Sequence, residues 1–370
     1  MSTGSGESGA STGAPLEGCA SACDRTSMFV GNINIGPGDD TGWLKCVTLV
    51  VGDVFIAGDV DAAGLAGLAD LHTIAGGLTI SDNQVLADLA PLACLRGVST
   101  SLQLNAMPAL TDLSALAGLV DLRQIVVRAT GVAALPGLPA LTGVEAIALF
   151  DNPELVDLGE LAGWTIASDY FSLTIAGNAA LASLVGAEGL LAQADGAVDV
   201  AVQILDSPAL TSLAGLEMLT HGHLTLSGLP LVTELEPLAQ YKHAGSLTLS
   251  GLPLLTTLHG LHKLEDVAGL FVLGDCLKVG PEVDGMDGLV DLKGLDALTK
   301  VSDFGIANND GLVALAGAPL LHQVNSLTVV ENDKLTQAAL DAFVAQLDQA
   351  PGDLCFGAWE MCSCFEILPW

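Results

Sequence analysis

The chain has 370 residues, and 43 acidic against 11 basic side chains set its formal charge at −32. That excludes nucleic acid and anionic lipid surfaces as partners, because both repel it. At 51% hydrophobic it is no disordered acidic tail, and with 4% aromatics and 43 glycines its core must come from many thin aliphatic units, not one thick globule.

Residues 1–18 are rich in Gly, Ser and Thr and lack both a basic n-region and an apolar h-region. As written this is not a signal peptide. It reads as a flexible tether following a removed signal or a lipid-anchored cysteine. Residues 19–53 hold Cys19, Cys23, Cys46 and a first short strand, Ile33 to Ile35, and read as an N-terminal cap with the first coil. No uncharged stretch reads as a membrane span. The longest, Gly311 to Val330, is broken by Pro319 and carries His322, Gln323 and Asn325.

Residues 54–335 are dominated by an internal repeat. Short alternating strands such as Leu78-Thr79-Ile80, Leu224-Thr225-Leu226 and Leu247-Thr248-Leu249 recur. Their second inward residues serve as anchors: Ile56, Ile80, Leu104, Val127, Leu149, Ile175, Ile204, Leu226, Leu249, Leu273, Ile306 and Val329. Most spacings are 22–26 residues, with longer ones before Ile204 and Ile306. Asn often stands three residues past the anchor (Asn83, Asn152, Asn178, Asn309, Asn332) and Pro one further on. Asn tolerates left-handed backbone and bonds neighbouring peptides, so stacked Asn can satisfy the groups a turn leaves unpaired. Leucines then follow at intervals of three, as in Leu86, Leu89, Leu92, Leu95 and again Leu255, Leu258, Leu261, Leu264. That period belongs to 3₁₀-like corners, with small residues such as Ala214-Gly215 permitting the bends.

One coil cannot bury its own leucines. Stacked about 4.8 Å apart, coils turn each position into a continuous inner ladder. The spacing therefore predicts a right-handed parallel β-solenoid of about 12 coils of 22–26 residues. Residues 336–370 read as its C-terminal cap. Leu340, Phe343, Val344 and Leu347 lie on one face of a capping helix over Thr336 to Leu347, and Phe356, Trp359, Phe365, Trp370, Cys355, Cys362 and Cys364 crowd the end. Terminal clustering of the eight cysteines reads as disulfide-stapled caps in an oxidising compartment. Three per end leaves at least one per cluster free or paired elsewhere, and Cys94, among the repeats, reads as a small buried hydrophobe.

The unit LTISDNQVLADLAPLACLRGV, Leu78 to Val98, resembles the receptor L-domain repeat, a relative of leucine-rich repeats, and the resemblance covers roughly residues 29–347. That family supplies ligand-binding lobes of cell-surface receptors and many bacterial surface proteins. The resemblance implies an extracellular or cell-surface binding protein of the bacterial type. This sequence shows no Cys-rich module between lobes and no Asn-x-Ser/Thr sequon. The matching residues are structural, so no ligand carries over.

No nucleophile elbow, P-loop, dinucleotide fingerprint or HExxH is present. Polysaccharide-cleaving solenoids want Arg or Lys beside Asp on a strand face, and eleven basic residues serve that poorly. The expectation is a protein without catalysis, cofactor or metal. Two metal alternatives stand beside it: Ca²⁺ in the acidic loop around Asp284 and Asp287, and a transition metal near His221, His223 and His243, which precede adjacent strands. A solvated loop and exposed corner histidines are the plainer readings.

The outward residues of the central strands are Thr79, Gln103, Val126, Ala148, Thr174, Gln203, Thr225, Thr248, Val272, Gly305 and Thr328, and none is charged. Acids instead recur eight residues past the anchors, at Asp88, Asp112, Asp157 and Glu234. A flat, neutral, Thr-rich sheet rimmed by negative turns is expected. Thr79, Gln103, Thr174, Gln203, Thr225, Thr248 and Thr328 are its candidate binding residues, for a protein or glycan ligand taken by a monomer. The alternatives are a purely structural envelope protein, since Thr simply favours strands, and a carbohydrate-active enzyme.

Overall fold

The twelve predicted anchors fall on a single ladder. In the computed structural model, which describes Cys19 and residues 27–138, 141–159, 161, 163–166, 169–194, 196, 198–275 and 285–357, adjacent strands pair Ile56 with Ile80, Ile80 with Leu104, and so on without a slip to Ile306 with Val329. Among the described residues, nineteen strands form one sheet. The fold is a parallel β-solenoid. Two rungs extend the expected dozen to fourteen: Ile35 pairs with Ile56 at the start, and Phe356 pairs with Val329 at the end.

The final rung corrects the sequence reading. The predicted helix is present at Gln337–Ala345, with Thr336 Oγ1 accepting the Ala339 N–H at 3.2 Å and Leu340 and Phe343 buried. It does not end the stack, because strand Asp353–Gly357 follows and pairs beyond it. The helix is thus the back of the last coil, and Phe343 meets Phe304 edge-on across the interior. Phe304 itself stacks on Phe271, with centroids 4.8 Å apart.

Inside, the leucine positions merge into one buried cluster running from Ile33 to Leu347. The three-residue period does produce 3₁₀ corners, at Ala66–Leu68, Ala90–Leu92, Ser114–Gly118 and Glu236–Leu238. Burying one such leucine contributes roughly 1.5–3 kcal/mol. Because every coil offers its set only to its two neighbours, that stabilisation exists only for the stack.

The turn after each strand is built from two files, not one. Left-handed backbone falls two residues past the anchor, at Asp82, Asp151, Asp206, Asn308 and Glu331 (φ +45 to +56°), with Gly177, Gly228 and Gly251 filling the same place in other coils. Where Asp and Gly alternate there is a steric reason: a Cβ on Gly177 or Gly228 would meet the carboxylate of Asp151 or Asp206. The Asn three past the anchor is a buried connector. Asn152 Oδ1 accepts from the Thr130 N–H (3.1 Å) and hydroxyl (2.8 Å), and its Nδ2 donates to Val127 O (3.0 Å) and Asn178 Oδ1 (3.2 Å). Asn309 and Asn332 repeat the link at the other end. The file therefore bonds coil to coil through side chains where the sheet ladder has ended.

The acids eight past the anchor also have a structural task. Asp88, Asp112 and Asp157 accept the N–H two residues on at 2.7–2.8 Å, and Ser183, Ser212 and Thr257 do the same in other coils. At Asp112 the Ser114 N–H, then the Ser114 hydroxyl, hold the carboxyl below its usual range. An acid with a lowered folded pKa stabilises above its unfolded pKa and loses that contribution as pH falls. Asp310 is the opposite case: burial, then Asp333 and Asp287 in flanking coils, push its carboxyl up. Its repulsion is present at neutral pH and relieved as pH falls through its folded pKa. Asp310→Asn is expected to raise Tm slightly at pH 7 with the gain vanishing near pH 4, read by thermal melts at the two values.

Cys94 is not a lone hydrophobe. It is disulfide-bonded to Cys19, 75 residues away, tying the N-terminal cap to the side of the stack. Cys46 and Cys355 are in disulfides as well. Cys23, Cys276, Cys362 and Cys364, the aromatics Trp359, Phe365 and Trp370, and the tether 1–18 lie outside the described residues.

Candidate binding face

Register places the predicted binding residues in one file. Thr79 pairs with Gln103, Thr174 with Gln203, Gln203 with Thr225, and Thr225 with Thr248, each half-exposed on the outer side of the sheet. Phe55, 39% exposed, precedes Thr79, so the open face begins with an aromatic the sequence reading left out. Its other end lies earlier than expected. Thr328 is in register but only 5% exposed, and Val272 and Gly305 are buried too. On this side Val272, Ala307 and Val330 form a small second apolar cluster with Leu270 and Cys355 against it. Thr328 is therefore no surface residue, and the open strip runs from Phe55 to Thr248.

Two flanking files widen that strip. On one side stand Ser101, Gln124, Ala146, Ser172, Ala201, His223 and Ser246; on the other, Ser81, Asn105, Arg128, Phe150, Ala176, Leu205 and Ser227. The period of two that gave the central file would have given these, two residues either way. They add two ionisable side chains, Arg128 and His223. The guanidinium carbon of Arg128 sits 4.7 Å from the Phe150 ring centroid.

The histidines come near one another without converging. His221 bonds Thr220 Oγ1 (3.0 Å) and Val198 O (2.8 Å). His243 Nδ1 meets Asp266 Oδ2 at 2.7 Å. His223 Nδ1 meets Ser246 Oγ at 2.9 Å, and its Nε2 lies 3.8 Å from Asp199 Oδ1. Serine, histidine and aspartate thus stand in relay order on an open surface, with the second contact longer than a hydrogen bond. Among the described residues no three His, Cys, Asp or Glu side chains gather as a metal would need. Asp287 Oδ1 accepts the Asp310 N–H at 3.2 Å; Glu282 and Asp284 lie outside the described residues. His262, beside the exposed His259, turns partly in, its ring stacked 5.0 Å from that of His259 and its Nδ1 buried.

A cavity of about 210 Å³ opens between the last two coils, lined by Val329, Asn332, Asp333 and Phe356. It is far from the open strip. Among the described residues no helix is long and apolar enough to cross a membrane.

These features define a leucine-rich-repeat-like parallel β-solenoid with one open, mostly uncharged sheet face. Among solved structures, the chain is similar to an internalin from Listeria monocytogenes, at 16% identity over 86% of this chain and 88% of that one, with a TM-score of 0.36. No family model matches the sequence, and no curated protein matches it.

Proposed function

We propose that this chain is a non-catalytic recognition protein displayed outside the cell, which takes its partner on the outer sheet face through Thr79, Gln103, Thr174, Gln203, Thr225 and Thr248. The observation that carries this is the uncharged open file in a molecule of charge −32. Acids occupy the turns on either side, several accepting backbone N–H groups, while the central file between them carries no charge. Flat faces of small polar side chains suit extended partners better than small molecules, which want concave sites. The disulfide of Cys19 with Cys94, and those of Cys46 and Cys355, support an oxidising location. A lipid anchor upstream would fit the Gly/Ser/Thr-rich start.

The test is the double variant Thr225→Arg, Thr248→Arg, assayed against a printed glycan array and against envelope proteins of the source cells. Wild type should bind saturably and the variant should lose at least tenfold, with its circular dichroism unchanged. Equal binding by both would remove the face from consideration. No saturable binding by wild type would favour a purely structural role.

A further inference from the structure

Among the described Lys and Arg side chains, Arg128 stands apart by its place in the files of the open face. Of the described arginines, Arg123 pairs with Glu145 at 3.2 Å and Arg96 donates to Ala93 O and Leu95 O. Arg128 is exposed, on the open face, and makes no ion pair among the described residues. It is also the one described arginine seated on an aromatic ring.

The turn file beside it is uncharged in two successive coils. Two residues past the anchor, the other described coils with left-handed backbone at this place carry Asp, Asn, Glu or Gly. The coil of Arg128 and the one before it carry Ala129 and Ala106 instead, at φ +51 and +53°. Alanine gains no side-chain hydrogen bond there and is strained by roughly 1 kcal/mol. Aspartate at either place would put a carboxylate beside the guanidinium. Acids return on both sides, with exposed Asp82 in one direction and Asp151 and Asp206 in the other.

Phe150 adds the third element. It lies in register between Arg128 and Ala176, with Leu205 beyond, and Val126 and Ala148 beside them in the central file. The ring lies 4.7 Å from the guanidinium carbon, and a guanidinium carried on a ring face can still offer its edge N–H donors to a carboxylate.

Resting on the recognition reading above, we infer that the Arg128–Phe150 patch is the specificity centre of the face. Its occupant is a protein segment presenting one carboxylate against aliphatic or aromatic neighbours, with basic side chains meeting Asp82, Asp151 and Asp206. The aliphatic bed favours a protein over a glycan, which would need a denser array of hydrogen-bonding groups than Val126, Ala148, Ala176 and Leu205 offer.

The test pans a random 12-residue peptide display library on the full-length protein and probes a glycan array of acidic sugars in parallel. Enriched peptides should carry Asp or Glu beside an apolar residue with Lys or Arg nearby. Their affinity should fall at least tenfold in Arg128→Ala, and equally in Arg128→Gln, with Tm unchanged in both because the side chain is exposed and makes no ion pair among the described residues. A structural role for Arg128 would not predict that pairing of kept stability and lost binding. Enriched peptides indifferent to both changes but lost on Thr225→Arg, Thr248→Arg would overturn this inference and leave the recognition face standing. Arg128-dependent capture of acidic glycans without peptide enrichment would overturn the protein assignment. Absence of any binder would overturn both.

Discussion

Asn152→Ala is expected to destabilise the protein by about 4 kcal/mol. The side chain is fully buried and makes four hydrogen bonds, to Thr130, Val127 and Asn178. Alanine leaves the Thr130 N–H and the Val127 carbonyl inside without their partner, at roughly 1–3 kcal/mol for each stranded group. A stack of coils does not melt as one unit, so the effect should be local. Hydrogen exchange should quicken at amides from Val127 to Asn178 and stay unchanged from Leu226 to Ile306. Asn152→Thr should cost about half as much, because Thr130 and Ser207 show that a buried hydroxyl can occupy this file. If alanine and threonine proved equally mild, the file would be mere packing.

This file also shows how far the sequence could be read. Anchors and leucines were legible because burial imposes a period, and the period is written in residue type: Ile56 to Val329 are apolar at every coil, and the anchors pair with one another throughout although bulges shift the register earlier in four strand pairs. The neutral outward file was legible for the same reason, one residue away. What failed were features that depend on the third dimension. Cys94 looked like any small hydrophobe, since nothing local says that Cys19 lies beside it. Thr328 has the pattern of Thr248, and only the layout of the last coils reveals that its side of the sheet is closed. Strand Asp353–Gly357 was missed because acid, Cys and Gly hide its alternation. Arg128 and Phe150 are 22 residues apart in sequence and adjacent in space. Their meaning appeared only beside Ala106 and Ala129, whose backbone angles no sequence pattern displays.

Gly215→Ala should be nearly as costly as the loss of Asn152, for a different reason. Gly215 has φ +113°, and a Cβ there would fall on the carbonyl of Leu184 in the preceding coil. Both partners are backbone, so no side chain can swing aside. The same meeting recurs along the stack, with Gly186 over the Gly159 carbonyl and Gly260 over that of Leu235. These glycines are where one coil's corner rests on the next, and a methyl group would push the coils apart just where the leucine ladder needs them in contact. Backbone strain of roughly 1–3 kcal/mol and overpacking of similar size together give about 4 kcal/mol. Gly38→Ala separates the two contributions. Its φ is +83°, but nothing lies within 4 Å of the added carbon, so only the conformational cost of about 1 kcal/mol should appear. Local opening free energies read by hydrogen exchange around the two sites should therefore fall by amounts that differ by about 3 kcal/mol. Equal losses would mean that torsion alone, and not the close approach of neighbouring coils, fixes glycine at these corners.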